Sequence, residues 1–320
     1  MKYVITFLIF IYSQFSLSYT NEHGHAQLMA LGHQLLKQCG FQSVADHYSQ
    51  NDINAIIFGS TSVDYSWNPF GTYNRLLDWH FYKAEEGSKE EMKLVKSRAF
   101  LADRTFIDPW NDLHDIYPKE TDRIEKLTLL GGYAHYIEDM ANPAHIVPVF
   151  HMVGIKDGID DFPSSYYQKS IASIKFDSSM CKRLSEFDSE LLKDESNQNI
   201  MDEILHEAVK TTNRYIATSI PHCSQFTWEE FYSRPTDKAF WGDFYQNPVK
   251  TVHRHKDKKF QKHTFKEKVV IGYEGVLDFG KEDKQLCAFT NASYQPFVDH
   301  LFENAIIFDA ALLRSQKDGY

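Results

Sequence analysis

Apolar residues recur every three or four positions along much of this 320-residue chain, which is the period of an amphipathic α-helix. In residues 26–39 the pattern places Leu28, Leu31, Leu35 and Leu36 on one side of such a helix. The same spacing predicts helices over four further ranges: 90–101, 123–141, 199–220 and 294–314. The last range is so apolar that we expect it to run through the core. The pattern therefore predicts an all-α fold.

The pattern changes between residues 238 and 283. Residues 250–268 are basic and polar, and residues 269–279 (VVIGYEGVLDF) have the composition of a β-hairpin with glycine-containing turns. We therefore expect one multi-helix domain over residues 19–320, with a small β insertion at about residues 238–283.

The first residues have the features of a secretory signal peptide. Lys2 precedes a short apolar run at residues 4–12, and the small residues Ser16 and Ser18 follow with the spacing expected before a cleavage site. The run is too short to span a bilayer. We predict a signal peptide over residues 1–18 and a mature protein that is secreted or periplasmic.

Composition and net charge limit the kinds of molecule that the protein is expected to bind. The hydrophobic share of 42% is that of a folded globular protein, and the net charge of -10 argues against nucleic acid as the partner. An exported chain can use its cysteines in disulfides, and four cysteines allow three pairings that the sequence does not separate: they are Cys39, Cys181, Cys223 and Cys287.

Candidate chemistry is concentrated in residues 131–151, GGYAHYIEDMANPAHIVPVFH. His135 and Asp139 lie one helical turn apart, so they project from the same face and can bind one ion. Pro143 should kink or end the helix and direct His145 towards the same cavity from another angle. Imidazole and carboxylate ligands together suit zinc or a similar metal. The motif predicts a metal-dependent hydrolase.

Other side chains of ligand type accompany this motif. They are His23 and His25, Asp64 and His80, His151, and Asp157, Asp160 and Asp161 in an acidic loop. Because a zinc ion needs three or four ligands, these residues suffice for two to three zinc ions, and Asp139 is placed to bridge two of them. Glu138 lies about 100° round the helix from Asp139. We expect it to contact solvent or a neighbouring basic group.

Three segments, VDY, HFYKAEEG and HYIEDMANPAH, resemble the zinc-dependent phospholipase C family of secreted bacterial enzymes that cleave phosphatidylcholine. That family shares its fold and trinuclear zinc site with fungal single-strand nucleases. The resemblance covers roughly residues 19–165. It implies an enzyme that makes peripheral contact with a membrane and hydrolyses the glycerol-side phosphodiester bond of phospholipids with a zinc-activated hydroxide.

The resemblance also implies a ligand set. One zinc ion would be held by Asp64, His80, His135 and Asp139. Asp139 would bridge to a second ion, which would be completed by His25 and by the amine and carbonyl of the first mature residue. Cleavage after Ser18 makes that residue Tyr19, where the family has tryptophan. A third ion would be held by His145, His151 and one of Asp160 and Asp161.

Catalytic and substrate-binding roles follow from the same resemblance. Asp64 is the candidate general base, because its second oxygen could face the attacking water. Tyr65 directly follows Asp64, as a tyrosine does in the family, and would line a choline pocket together with Phe81. Aromatic rings hold a quaternary ammonium by a cation–π attraction of about 0.5–2 kcal/mol.

Three alternatives remain beside this interpretation. The first is a single-strand nuclease or nucleotidase on the same zinc scaffold, with the aromatic rings stacking on bases. The second is a phosphohydrolase of the His-Asp type, suggested weakly by the dipeptide at His114 and Asp115. The third is an exported zinc-binding protein whose site is closed and does no chemistry.

Overall fold

The computed structural model describes ten stretches of the chain: 24–64, 82–84, 92–94, 107–146, 171–191, 197–221, 223–231, 276–278, 286–288 and 291–316. Within them lie nine α-helices. In chain order they are α1 (His25–Gln38), α2 (Gln42–Ala45), α3 (Gln50–Asp64), α4 (Ile107–Ile116), α5 (Arg123–Met140), α6 (Pro143–Ile146), α7 (Ser178–Leu191), α8 (Asn197–Ile216) and α9 (Asn291–Ser315). The predicted all-α fold is confirmed.

Short antiparallel strand pairs accompany the helices. They are β1 (Tyr82–Ala84) with β2 (Met92–Leu94), β3 (Ser219–Ile220) with β4 (Cys223–Thr227), and β5 (Val276–Asp278) with β6 (Leu286–Ala288). Strand β5 falls within the stretch predicted as a hairpin, but its partner β6 follows that stretch. The predicted insertion at about residues 238–283 lies mostly outside the described residues, so it stays a prediction.

Two helix predictions are wrong in part. The range 90–101 contains strand β2, where apolar Met92 and Leu94 alternate with Lys93 in the period of a strand. Its backbone pairs with β1, and this pairing overrides the helical spacing. Helix α8 ends at Ile216 rather than at 220, because the next residues enter strand β3. Five helices had no prediction: α2, α3, α4, α6 and α7.

The residues at either end of α5 explain where the helix begins and ends. The carboxylate of Asp122 accepts hydrogen bonds from the backbone N–H groups of Ile124 and Glu125, at 2.9 and 3.0 Å, and so caps the first turn. The helix ends at Met140, before Pro143, as predicted, and Pro143 opens a separate helix, α6. Every residue from 130 to 143 is buried, so α5 runs through the centre of the molecule.

The core is built around α5 and the apolar helix α9, and α1 and α3 pack against these two. Phe297, Phe302 and Phe308 of α9 are fully buried. Helix α1 is also tied at its carboxyl end by a disulfide between Cys39 and Cys181, at the start of α7. Among the helices that the structure describes, none is long and apolar enough to cross a bilayer.

Helices α3 and α5 cross at a contact made by two glycines. A Cβ atom added to Gly131 would lie 2.1 Å from the carbonyl oxygen of Ile56 and 2.6 Å from the backbone nitrogen of Ser60. A Cβ atom added to Gly59 would lie 1.9 Å from the carbonyl oxygen of Thr128. Because backbone meets backbone here, only glycine fits at both positions. The crossing brings Ser60 to the middle of α5.

We expect Gly131→Ala to destabilise the protein by about 1–3 kcal/mol or more, because the added methyl group forces the two helices apart. The neighbouring Gly132→Ala is the matched control. Its Cβ would meet only the flexible end of Leu113, at 3.2 Å, and alanine gains about 1 kcal/mol of helix propensity over glycine. Urea unfolding measures the difference in stability between the two variants. Equal free energies of unfolding would contradict the close backbone contact at Gly131.

Candidate metal centre

Three helices bring four of the predicted ligands together in the core. His25 is the first residue of α1, His135 and Asp139 lie on α5, and His145 lies on α6. All four side chains are at most 3% exposed. The imidazole rings of His25 and His135 stack with their centroids 4.2 Å apart. The break at Pro143 directs His145 back towards Asp139, as the sequence predicts.

The two carboxylate oxygens of Asp139 face different imidazoles. Oδ1 lies 3.8 Å from Nε2 of His25. Oδ2 lies 3.4 Å from Nε2 of His135 and 3.7 Å from Nδ1 of His145. The carboxylate of Asp139 therefore lies between the histidines of α1, α5 and α6.

These distances are close to those between the ligand atoms of a metal ion. Tetrahedral zinc, with bonds of about 2.0–2.2 Å, holds its ligand atoms roughly 3.3–3.5 Å apart. One ligand atom each from His25, His135 and Asp139 lies within 4.8 Å of the other two. A small contraction around an ion would bring this buried group to coordination distance. The group could therefore hold a metal ion, and its nitrogen and oxygen donors suit zinc or a similar first-row metal.

Backbone contacts orient His135 for such a role. Its Nδ1 lies 2.9 Å from the carbonyl oxygen of Ser60, which can only accept a hydrogen bond. Nδ1 is therefore the protonated nitrogen, and Nε2 presents its lone pair to Asp139. Histidines that bind metal ions commonly have their other nitrogen fixed in this way. The glycine crossing of α3 and α5 supplies the carbonyl group.

Glu138 belongs to the same cluster. Its side chain is fully buried, so the expected contact with solvent is wrong, whereas the expected contact with a basic group is found: its Oε2 bonds Nδ1 of His25. The hydroxyl of Ser60 donates to the same oxygen at 3.3 Å. A sequence indication was present, because residues 129–137 of α5 are apolar, aromatic or glycine apart from His135, so the half of the helix around Glu138 has no polar face.

Burial raises the pKa values of acidic side chains in and beside the cluster. Burial raises the pKa of the Glu138 carboxyl to about 8. On α9, Asp309 is also fully buried, and burial together with the nearby Glu138 raises its pKa well above the ordinary value. With Asp139, three carboxyl groups share one apolar interior. A bound cation would offset their negative charge.

The other predicted site residues are only partly located. Asp64 is the last residue of α3, one turn after Ser60, and its side chain lies outside the described part. The remaining calls also lie outside it and stay predictions: Tyr19, Tyr65, His80, Phe81, His151, Asp160 and Asp161. Strand β1, which begins two residues after His80, lies against α6.

The dipeptide at His114 takes part in a different network. His114 Nε2 donates to the carboxylate of Asp202 at 3.1 Å, and its Nδ1 accepts from the hydroxyl of Tyr133 at 2.7 Å. Trp110 donates to the same carboxylate at 2.7 Å. These contacts join α4, α5 and α8, and none of them involves a side chain of the Asp139 cluster.

No protein-family model, no curated protein and no solved structure matches this chain. The case for a metal centre therefore rests on the geometry of the cluster and on its sequence motif.

We expect the purified protein to retain zinc through dialysis and Asp139→Ala to lose it, because the substitution removes the only carboxylate that faces His25, His135 and His145 among the described residues. Elemental analysis by mass spectrometry measures the zinc content. His33→Ala is the control, since His33 lies on α1 but bonds the carbonyl oxygen of Ala45. Undiminished zinc in Asp139→Ala would contradict the assignment.

Proposed function

We propose that this protein is an exported zinc-dependent phospholipase C that hydrolyses the phosphodiester bond of phospholipids such as phosphatidylcholine. The observation that carries the proposal is the placement of Asp139, whose two oxygens face imidazoles on three different helices. A carboxylate shared in this way suits a centre of more than one ion. Such centres serve phosphodiester hydrolysis, in which attacking and leaving oxygens both need stabilisation.

Two further observations support a site larger than the His25, His135 and Asp139 group. Helix α3 ends at Asp64, one turn beyond the Ser60 carbonyl that contacts His135. Strand β1 lies against α6, so the chain that follows His80 runs beside the helix of His145. Both arrangements are consistent with Asp64 and His80 joining His135 and Asp139 as ligands of one ion.

Each group of residues has a defined task in this mechanism. His25, His135 and Asp139 form the ligand set at the centre, and the buried surroundings keep bulk water out. Bound zinc would neutralise the phosphate charge and lower the pKa of a water towards about 7. Asp64 would accept the proton of the attacking water. Tyr65 and Phe81 would hold the quaternary ammonium of choline against their rings.

We expect the mature protein to release water-soluble phosphocholine from phosphatidylcholine vesicles, and a zinc chelator to abolish the release. Restoration by added zinc and inactivity of Asp139→Ala are the matched controls. Zinc-loaded protein that releases no phosphocholine would contradict the proposal. Single-stranded RNA is then the next substrate: its cleavage would indicate the nuclease alternative, and its survival would indicate the closed zinc-binding protein.

The predicted amine ligand gives a separate prediction. If the amine of Tyr19 binds zinc, one extra glycine before Tyr19 should lower the zinc content of the purified protein by one ion. Elemental analysis compares this variant with a protein released at Tyr19 by signal-peptide cleavage. Equal zinc content and equal phosphocholine release would remove the N-terminus from the site.

A further inference from the structure

A pair of buried carboxyl groups lies behind the metal centre. Glu138 on α5 and Asp309 on α9 are both fully buried, and they interact directly. Helices α1 and α9 approach so closely that a Cβ atom added to Gly32 would lie 2.6 Å from Cβ of Asp309. The pair is thus enclosed by the helix that starts with His25.

The two oxygens of Glu138 have different surroundings. Oε2 bonds Nδ1 of His25 and accepts the hydroxyl proton of Ser60. Oε1 and both oxygens of Asp309 have no other hydrogen-bond donor among the described residues. Two facing carboxyl groups can hydrogen-bond only when one of them carries a proton. Burial favours the protonated form of Asp309, and that form can donate to Oε1, which leaves Oε2 of Glu138 for His25.

The bond to Glu138 determines which nitrogen of His25 is available. Nδ1 is engaged with Glu138, so Nε2 is the nitrogen that faces the centre, 3.8 Å from Oδ1 of Asp139. We propose that Glu138, supported by Asp309, is a positioning residue that fixes His25 as a metal ligand. The inference rests on the metal centre of the proposed function and is independent of the substrate.

His25 needs such a support more than the other ligands do. It is the first residue of α1, where backbone N–H groups lack partners within the helix and the first turn tends to fray. His135, in contrast, lies in the middle of α5 and has the carbonyl of Ser60 on its Nδ1. A negatively charged partner also raises the basicity of a ligand imidazole, which a carbonyl does less strongly.

The test is zinc affinity, measured by competition with a chromophoric chelator. We expect Glu138→Gln to raise the Kd for zinc about 10–100-fold, the loss typical of a residue that orients a metal ligand. Asp309→Asn should stay within about threefold of wild type, because its amide still donates to Oε1. Asp202→Asn is the matched control, since Asp202 also accepts from a histidine, but from His114 and not from a side chain of the metal centre.

The outcomes separate the role of Glu138 from general stability. Urea unfolding of the metal-free variants runs beside the affinity measurement. A less stable Glu138→Gln with an unchanged zinc Kd would overturn the proposal, because Glu138 would then be only structural. Equal loss of affinity in Asp309→Asn would overturn the donor role of Asp309.

A measurement on the wild-type protein keeps the proposal testable if Glu138→Gln fails to fold. Nitrogen-15 NMR of the zinc-loaded protein, labelled at histidine, should show zinc on Nε2 of His25 and a proton on Nδ1. Zinc on Nδ1 would overturn the proposal. Neither experiment requires turnover, so zinc affinity that depends on Glu138 in a protein without phosphocholine release would sustain this inference while the proposed phospholipase activity fails.

Discussion

The burial of three carboxyl groups in one helical core is the constraint on which the rest of this structure depends. Glu138, Asp139 and Asp309 are fully buried. An isolated ionised carboxylate in an apolar interior is very unfavourable, so each must find a hydrogen-bond donor, a proton or a cation. Imidazoles, the hydroxyl of Ser60 and a shared proton meet part of this need. A bound metal ion would meet the remainder.

The helix packing serves that arrangement. At Gly59 and Gly131 the backbones of α3 and α5 touch, and the Ser60 carbonyl and hydroxyl reach the cluster as a result. At Gly32 the backbone of α1 also lies close to α9, where an added Cβ atom would be 2.6 Å from Cβ of Asp309. Side chains on these three glycines would separate the helices and withdraw the groups that orient His135 and Glu138. The glycines therefore allow the close helix packing that brings the buried polar groups together.

The sequence predicted what depends on spacing within a few residues. The one-turn interval of His135 and Asp139, and the break at Pro143, were sufficient to place His145 near Asp139. What the sequence did not predict depends on distant segments. Nothing close to Glu138 in the chain indicates Asp309, and strand β2 forms where its helical spacing is overridden by pairing with β1. The helices α2, α3, α4, α6 and α7 were missed, although their packing completes the fold.

The disulfide between Cys39 and Cys181 restrains the helix that carries His25. Cys39 directly follows α1, and His25 is the first residue of that helix. The disulfide and the imidazole therefore lie at opposite ends of a helix roughly 21 Å long. The disulfide anchors the carboxyl end of α1 to α7, so less conformational entropy is lost when His25 is held in place. Without the disulfide, packing alone would hold that end of α1, through buried residues such as Leu35 and Leu36. The disulfide therefore adds a covalent restraint to the packing that positions His25.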